Sequence, residues 1–417
     1  MDIVIAGGGV AGLEALLALR SMARDKVRLT LIAPDPDFSY RPLAVAEPFG
    51  LGHAHKVPLK RFADDADAEL IVDAVVGVDD HAREVELRDG GSRSFDALLA
   101  APGGRAVAGV KGATTWWPSG DADSYGGLLR DIDEGYAKRI AIVVPPGAVW
   151  PLPAYELALM TAGEAKAMGQ DDVKVTVVTP EREPLTLFGQ PASKAVAEEL
   201  SWAGVELVTA AVARGTGDGL VLEPGGRRLD VQRVFAVPRI VGPALTGLDC
   251  DEEGFLLARE DGRVRGARHT WAAGDGIVSP IKFGGLATHQ ARVAAAGIAH
   301  EAGVEPRDPG EPVLHGRLLV GQRSRRLRGR GDAEGAPLWW PHGKVAGEFL
   351  PRWLAEHGVV APASEEPPEG EGITVQRSMR SLRAPEYQYL FELGREYRTD
   401  DPAIAALGRR MREAQSR

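Results

Sequence analysis

Near the N-terminus, Gly7, Gly9 and Gly12 fall in the spacing Gly-x-Gly-x-x-Gly. That spacing suits one task, the cradling of a dinucleotide pyrophosphate. The first glycine allows a tight turn, the second lets phosphate approach the backbone, and the third lets a helix pack close to a strand. Phosphate oxygens would then meet the N–H groups of Val10 and Ala11 at a helix N-terminus. A second set lies far downstream, where Gly274-Asp275 is followed by Lys282 and Gly285. An ammonium beside a helix start can stabilise developing negative charge. A third stretch, AIVVPPGAVW at 141–150, runs a strand into Pro145-Pro146-Gly147. A second phosphate loop there would need N–H donors; proline has none and restricts the residue before it.

Cys250 is the single cysteine in 417 residues, so a dithiol couple within the chain is excluded. It lies in the polar run GLDCDEEG, with no adjoining cation to favour a thiolate. The net charge of −10 argues against wholesale nucleic-acid binding. Apolar residues at 44% and charged residues at 26% belong to an ordinary globular protein. No apolar run reaches the roughly 18–20 residues of a membrane helix. The opening MDIVIAGGG has neither a basic n-region nor an apolar signal core, so a cytoplasmic location is expected. A peripheral membrane contact stays open. No metal site is expected.

The elements that must position these residues follow from periodicity. Asp2–Ala6 reads as a buried parallel strand, Glu14–Ala23 as helical, and Val27–Ala33 as the next strand. In this βαβ setting the glycine spacing becomes a strong signal. The ribose-binding acid is expected at the end of the second strand. Ala33 holds that place, and Asp35 is the nearby candidate. Residues 70–100 alternate apolar and polar, turn at Asp89-Gly90-Gly91, and end in a buried strand at Ala97–Ala101. A second α/β unit has strands over 139–144 and 173–179, a helix around 154–167, and a further helix stopped at Gly204. A short strand ends at AAGD, and an alanine-rich helix starts near Gly284 or Gly285. Residues 321–330 are a basic cluster that reads as a solvated loop, and 361–372 have linker composition.

In this order the motifs resemble the two-dinucleotide-domain flavoproteins. Within them they are similar to the group of sulfide:quinone oxidoreductases, flavocytochrome c sulfide dehydrogenases and type II NADH dehydrogenases, over about residues 1–355. The resemblance implies FAD, with its pyrophosphate on Gly7, Gly9, Val10, Ala11 and Gly12. Phe38-Ser39-Tyr40-Arg41-Pro42 resembles the Phe-x-x-Thr-Pro beside the flavin ring, with Arg41 in place of threonine. Val75 matches the adenine-contacting valine. Ala101-Pro102-Gly103 stands where the family has Ala-Thr-Gly, and Gly274-Asp275 matches the pair that binds the ribityl chain. Lys282 and the helix start at Gly284-Gly285 would stabilise reduced flavin. Tyr155-Glu156 resembles a pair in the sulfide-oxidising relatives. Trp339, Trp340 and Lys344 resemble the segment closing the quinone side.

The expected fold is α/β: two Rossmann-like dinucleotide-binding domains, the FAD domain split in sequence, plus a C-terminal capping region. The FAD domain is placed at 1–105 and 245–315, the second domain at 106–244, and the cap at 316–360. A linker follows at 361–372 and a helical tail at 373–417. Pro146, Trp150 and Tyr155 are read as walls of a substrate pocket, or else as interdomain core. The expected function is an FAD-dependent oxidoreductase passing electrons from an unidentified donor to a quinone or other carrier, without a cysteine pair. Its partner would be a small redox molecule. An NAD(P)H dehydrogenase with a divergent nucleotide loop and a non-catalytic flavin-binding module are the alternatives.

Overall fold

The computed structural model describes residues 1–117, 122–216, 219–279, 281–320, 344–360 and 374–378. Short apolar strands alternate with helices, and strands buried on both faces need a layer on each side: helices cover one face of each main sheet, and a small antiparallel sheet, 75–94 or 212–229, covers the other. The first sheet has the order Thr270–Ala272, Ala97–Ala100, Asp2–Ala6, Arg28–Ala33, Ala68–Val72, all parallel. Its register sets Ile5 between Leu31 and Leu99, all fully buried. One strand comes from residues 270–272, so this domain is split in sequence, as expected. Helices Val10–Ala23 and Gly284–Glu301 pack against each other on it. Ala15, Ala18, Ala291, Ala294 and Ala295 lie in their shared core, where small side chains permit close approach.

The second sheet runs Thr114–Thr115, Arg233–Ala236, Arg139–Val143, Lys174–Val178, Glu206–Val208, again parallel. Helices Leu152–Ala167 and Gln190–Ala203 contribute to its core. The first of these begins two residues before the expected start. Pro151 and Pro153 are tolerated there because N–H groups in a first turn have no intrahelical acceptor. The outgoing and returning chains between the domains pair antiparallel, Arg105–Val107 with Arg239–Val241.

Residues 344–350 form a strap across both domains. Lys344 Nζ lies 2.6 Å from Glu156 Oε1, and both side chains are buried. The Leu319 N–H donates to the same oxygen at 2.9 Å. Val345 packs on Gly284, where a Cβ would come within 2.8 Å of it. The Thr288 hydroxyl donates to the Ala346 carbonyl at 2.5 Å. The N–H groups of Glu348, Phe349 and Leu350 donate to the Glu14 carboxylate at 2.9, 3.2 and 2.6 Å. Glu14 has no exposed surface and belongs to the glycine-led helix Val10–Ala23. It therefore caps the helix Leu350–Glu356, whose own N-cap, Phe349, supplies no side-chain bond. Trp353 of that helix stacks on Phe62 at 3.8 Å, and its ring N–H donates to Asp65 at 2.7 Å.

Thr374–Ser378 is a strand paired antiparallel with Val313–Arg317, which corrects the helical tail at these residues. Thr374 and Val375 are β-branched, and strand 313–317 offers an edge to pair with. The rest of the tail, the 361–372 linker, the basic cluster, Trp339 and Trp340 lie outside the described residues. Among the described residues, no helix is long and apolar enough to cross a membrane.

Replacing Glu14 by Ala strips the acceptor from three N–H groups at once. The variant is expected to lose about 3 kcal/mol of stability to urea, with faster amide exchange over 348–356. Unchanged exchange in that segment would show that Glu14 is not its anchor.

Candidate functional site

Three loops meet at the carboxyl ends of the first sheet. Gly7 takes φ +128°, and a Cβ there would stand 2.0 Å from the Ala101 carbonyl oxygen. A Cβ on Gly12 would stand 1.8 Å from the Gly7 carbonyl oxygen. Both positions are closed to any other residue. Gly9, by contrast, caps the helix Val10–Ala23 and faces open space, as does Gly103 at φ +73°. Gly274 at φ +83° places its missing Cβ 2.8 Å from the Cβ of Ala11, and its N–H donates to Gln290 Oε1 at 2.9 Å. A Cβ on Gly276 would lie 3.1 Å from the Gly103 carbonyl oxygen. The glycine spacing, the Ala101–Gly104 turn and the Gly274–Gly276 turn are thus one cradle. Helix N–H groups and an open glycine face fit an FAD pyrophosphate.

Asp275 is half-buried. Burial pushes its carboxyl up, while the charges of Lys282 and Arg41 pull it back. Lys282 is buried; its Nζ donates to the Ile277 carbonyl at 2.6 Å and sits 4.0 Å from the Phe255 ring centroid. Lys282 is therefore an interior cation at the cradle's edge. Gly285 is held tight as well, since a Cβ would meet the Phe283 ring at 2.8 Å and Ala346 at 3.3 Å. Its close neighbours are Phe283 and the strap. Asp35 is exposed beyond its strand, and its carboxylate accepts the Asp37 N–H at 2.9 Å. Arg41 is exposed and Pro42 half-buried. Val75 is half-buried on strand Val75–Asp79.

The proline loop of the second domain reaches the same corner. Pro145 is buried, and a Cβ on Gly109 would stand 2.5 Å from its ring. The Ala148 N–H donates to the Pro145 carbonyl at 3.1 Å. Trp150 stacks on Phe283 with centroids 5.0 Å apart and planes 12° apart. It also meets Phe188 edge-on at 5.9 Å. Pro146 and Trp150 are half-buried at this junction. Tyr155 is not: it is fully buried, and its hydroxyl donates to Glu181 Oε2 at 2.5 Å. It is domain core, because the helix turns the neighbouring Glu156 toward Lys344 instead.

Glu181 also accepts from the Thr179 hydroxyl at 3.0 Å and the Leu185 N–H at 3.1 Å. Burial pushes its carboxyl up to about 7. Burial and the Glu181 charge push the Tyr155 phenol well above its ordinary value. Cys250 is half-buried; burial, Asp251 and Asp249 raise its thiol. Sequence reasoning missed Glu14, Gln290 and Phe283, and read Glu181 only within Pro180-Glu181, a stretch similar to the sulfide-oxidising relatives. For Glu14 the available signal was a lone carboxylate within an apolar run, GLEALLAL, which needs a partner if the helix face is buried.

Residues 1–303 match the family model described as pyridine nucleotide-disulphide oxidoreductase, a family of FAD-binding flavoproteins. The chain is similar to the sulfide:quinone oxidoreductase of the hyperthermophilic bacterium Aquifex aeolicus, at TM-score 0.69 and 19% identity, covering 94% of this chain and 91% of that one. It is also similar to an NAD-dependent persulfide reductase from A. fulgidus, at TM-score 0.57 and 19% identity over 77% and 62% of the two chains. A third is the ferredoxin reductase of the CYP199A2 system from Rhodopseudomonas palustris, at TM-score 0.57 and 21% identity over 78% and 84%.

The raised Glu181 carboxyl makes stability pH-dependent. Folded protein holds this proton to about pH 7, whereas the ordinary value is 4.5. The native state then binds more protons, so stability falls as pH rises between those values. Urea unfolding at both ends of that window should show a decline that Glu181→Gln reduces. Equal declines in both proteins would exclude Glu181 as the source.

Proposed function

The chain belongs to the pyridine nucleotide-disulphide oxidoreductase family, and from that premise we propose that this FAD-dependent oxidoreductase takes electrons from a donor other than NAD(P)H and passes them to a quinone or similar small carrier. The loop Pro145–Trp150 carries this reading. A nicotinamide dinucleotide needs backbone N–H donors at this strand end. Two positions are prolines, and the Ala148 N–H is occupied by the Pro145 carbonyl. Trp150, stacked on Phe283, makes the junction aromatic, which suits a flat apolar molecule better than a charged dinucleotide. The likeness to a sulfide:quinone oxidoreductase supports a quinone. A dithiol route is closed, because the chain has one cysteine.

FAD, when bound, supplies the redox chemistry. The residues of the chain hold and tune it. Gly7, Gly9, Val10, Ala11 and Gly12 would hold the pyrophosphate, and Asp275 would accept ribityl hydroxyls. Lys282 and the N-terminus of helix Gly284–Glu301 would balance negative charge on the ring. The strap, fixed by Glu156 at one end and Glu14 at the other, keeps water off the start of that helix.

Anaerobic mixing tests the reading. The FAD-loaded protein should not bleach with NADH or NADPH, and once photoreduced it should be reoxidised by an added quinone. Trp150→Ala should keep its FAD yet raise the quinone KM about tenfold, through loss of an aromatic wall. Rapid bleaching by NADH or NADPH would overturn the assignment of donor, and a photoreduced flavin that quinone does not reoxidise would overturn that of acceptor. A reconstituted protein without a flavin spectrum would overturn the cofactor.

A further inference from the structure

We infer that Glu181 is a positioning residue for the carrier site: without touching the carrier, it fixes the turn and the helix that hold the Trp150 ring in place. This deepens the reading above and rests on it. In a dinucleotide-binding unit, an acid at the end of the second strand meets a ribose hydroxyl. Lys174–Val178 is the second strand of this unit, and Thr179-Pro180-Glu181 follows it. Here the acid faces inward and is buried. Its Oε2 accepts the hydroxyls of Tyr155 and Thr179 at 2.5 and 3.0 Å, and its Oε1 accepts the Leu185 N–H at 3.1 Å.

Both oxygens lead to the indole. Through Oε1, Glu181 holds Leu185 at φ +53°, a left-handed backbone that leucine keeps only where its surroundings enforce it. Leu185 caps the short turn Thr186–Phe188, and the Phe188 N–H donates to the Leu185 carbonyl at 2.9 Å. Phe188 is buried and meets Trp150 edge-on at 5.9 Å. Through Oε2, Glu181 holds Tyr155, which lies in the first turn of helix Leu152–Ala167. That helix begins two residues after Trp150. One carboxyl therefore braces the segment that carries the indole and the turn that carries its edge contact. Phe283 stacks on the same indole at 5.0 Å, so the ring is gripped by one aromatic residue from each domain. The grip from the second domain is set by Glu181.

Reoxidation of photoreduced, FAD-loaded protein by tetramethylbenzoquinone reads the site as a half-saturating concentration and a limiting rate. Glu181→Leu should raise the half-saturating concentration about fivefold and leave the limiting rate near wild type, because the wall is displaced and the flavin is not. Glu181→Gln, whose amide oxygen can still accept the Leu185 N–H, should stay close to wild type. In a Trp150→Ala background the rise caused by Glu181→Leu should vanish, since the ring that it displaces is gone. If Glu181→Leu does not fold, Glu181→Asp, which keeps the charge and shortens the reach to Leu185, carries the same comparison. A folded variant with wild-type half-saturation, or one whose effect persists in full without Trp150, overturns the inference. Wild-type protein whose photoreduced flavin is not reoxidised by the quinone overturns the underlying reading, and this shows before any variant is compared.

Discussion

Three backbone N–H groups converge on one carboxylate that has no access to water, and much of the molecule depends on that convergence. Glu14 sits in the helix that carries the glycine spacing, while its donors belong to residues 348–350. An isolated charge in such a place would be costly. Burial does push the Glu14 carboxyl up, but the three N–H groups and Arg292 pull it back. The same bonds satisfy the start of a helix that has no cap of its own. The C-terminal cap and the nucleotide helix thus solve each other's polar problem, and neither segment is satisfied alone.

From that anchor the strap can run only one way. It passes over Gly284 and Gly285 and ends at the buried Lys344–Glu156 pair. Glycine is required at those two positions by the strap and by Phe283, in addition to any approach of a ring. The helix start is then narrow, and its flank is Phe283, on which Trp150 stacks. Pro145 and Pro146 fit this arrangement. A loop meant to hold phosphate must turn N–H groups outward. This loop turns the Ala148 N–H inward and sends an indole across the domain junction.

Legibility followed the range of the physics. Gly7, Gly9 and Gly12 could be read because a tight turn, an open backbone and a close helix each demand glycine within one local βαβ unit. The strands were legible for the same reason: runs such as Arg139–Val143 are apolar throughout and short. Gly274-Asp275 could be placed only through resemblance, since nothing local says that Gly274 must lie on Ala11. Tyr155 was ambiguous because an aromatic beside proline can face a pocket or a core. Its partner Glu181 lies on another strand end, and that pairing depends on tertiary packing. Glu14 with residues 348–350 is the extreme case, joining groups more than three hundred positions apart.

The second sheet keeps its five parallel strands although its phosphate loop carries two prolines. Its persistence has a physical reason in helix Leu152–Ala167. One end of that helix presents Trp150 to Phe283, and its first turns present Glu156 to Lys344 and Tyr155 to Glu181. Those three contacts need a rigid strand behind the helix, and Arg139–Val143 supplies it between two parallel neighbours. The Glu181 network also fixes Leu185 in its left-handed conformation, which holds Phe188 against the edge of Trp150. The domain is therefore required in full whatever its loop binds, because its strands and helix position the Trp150–Phe283 stack and the far anchor of the strap.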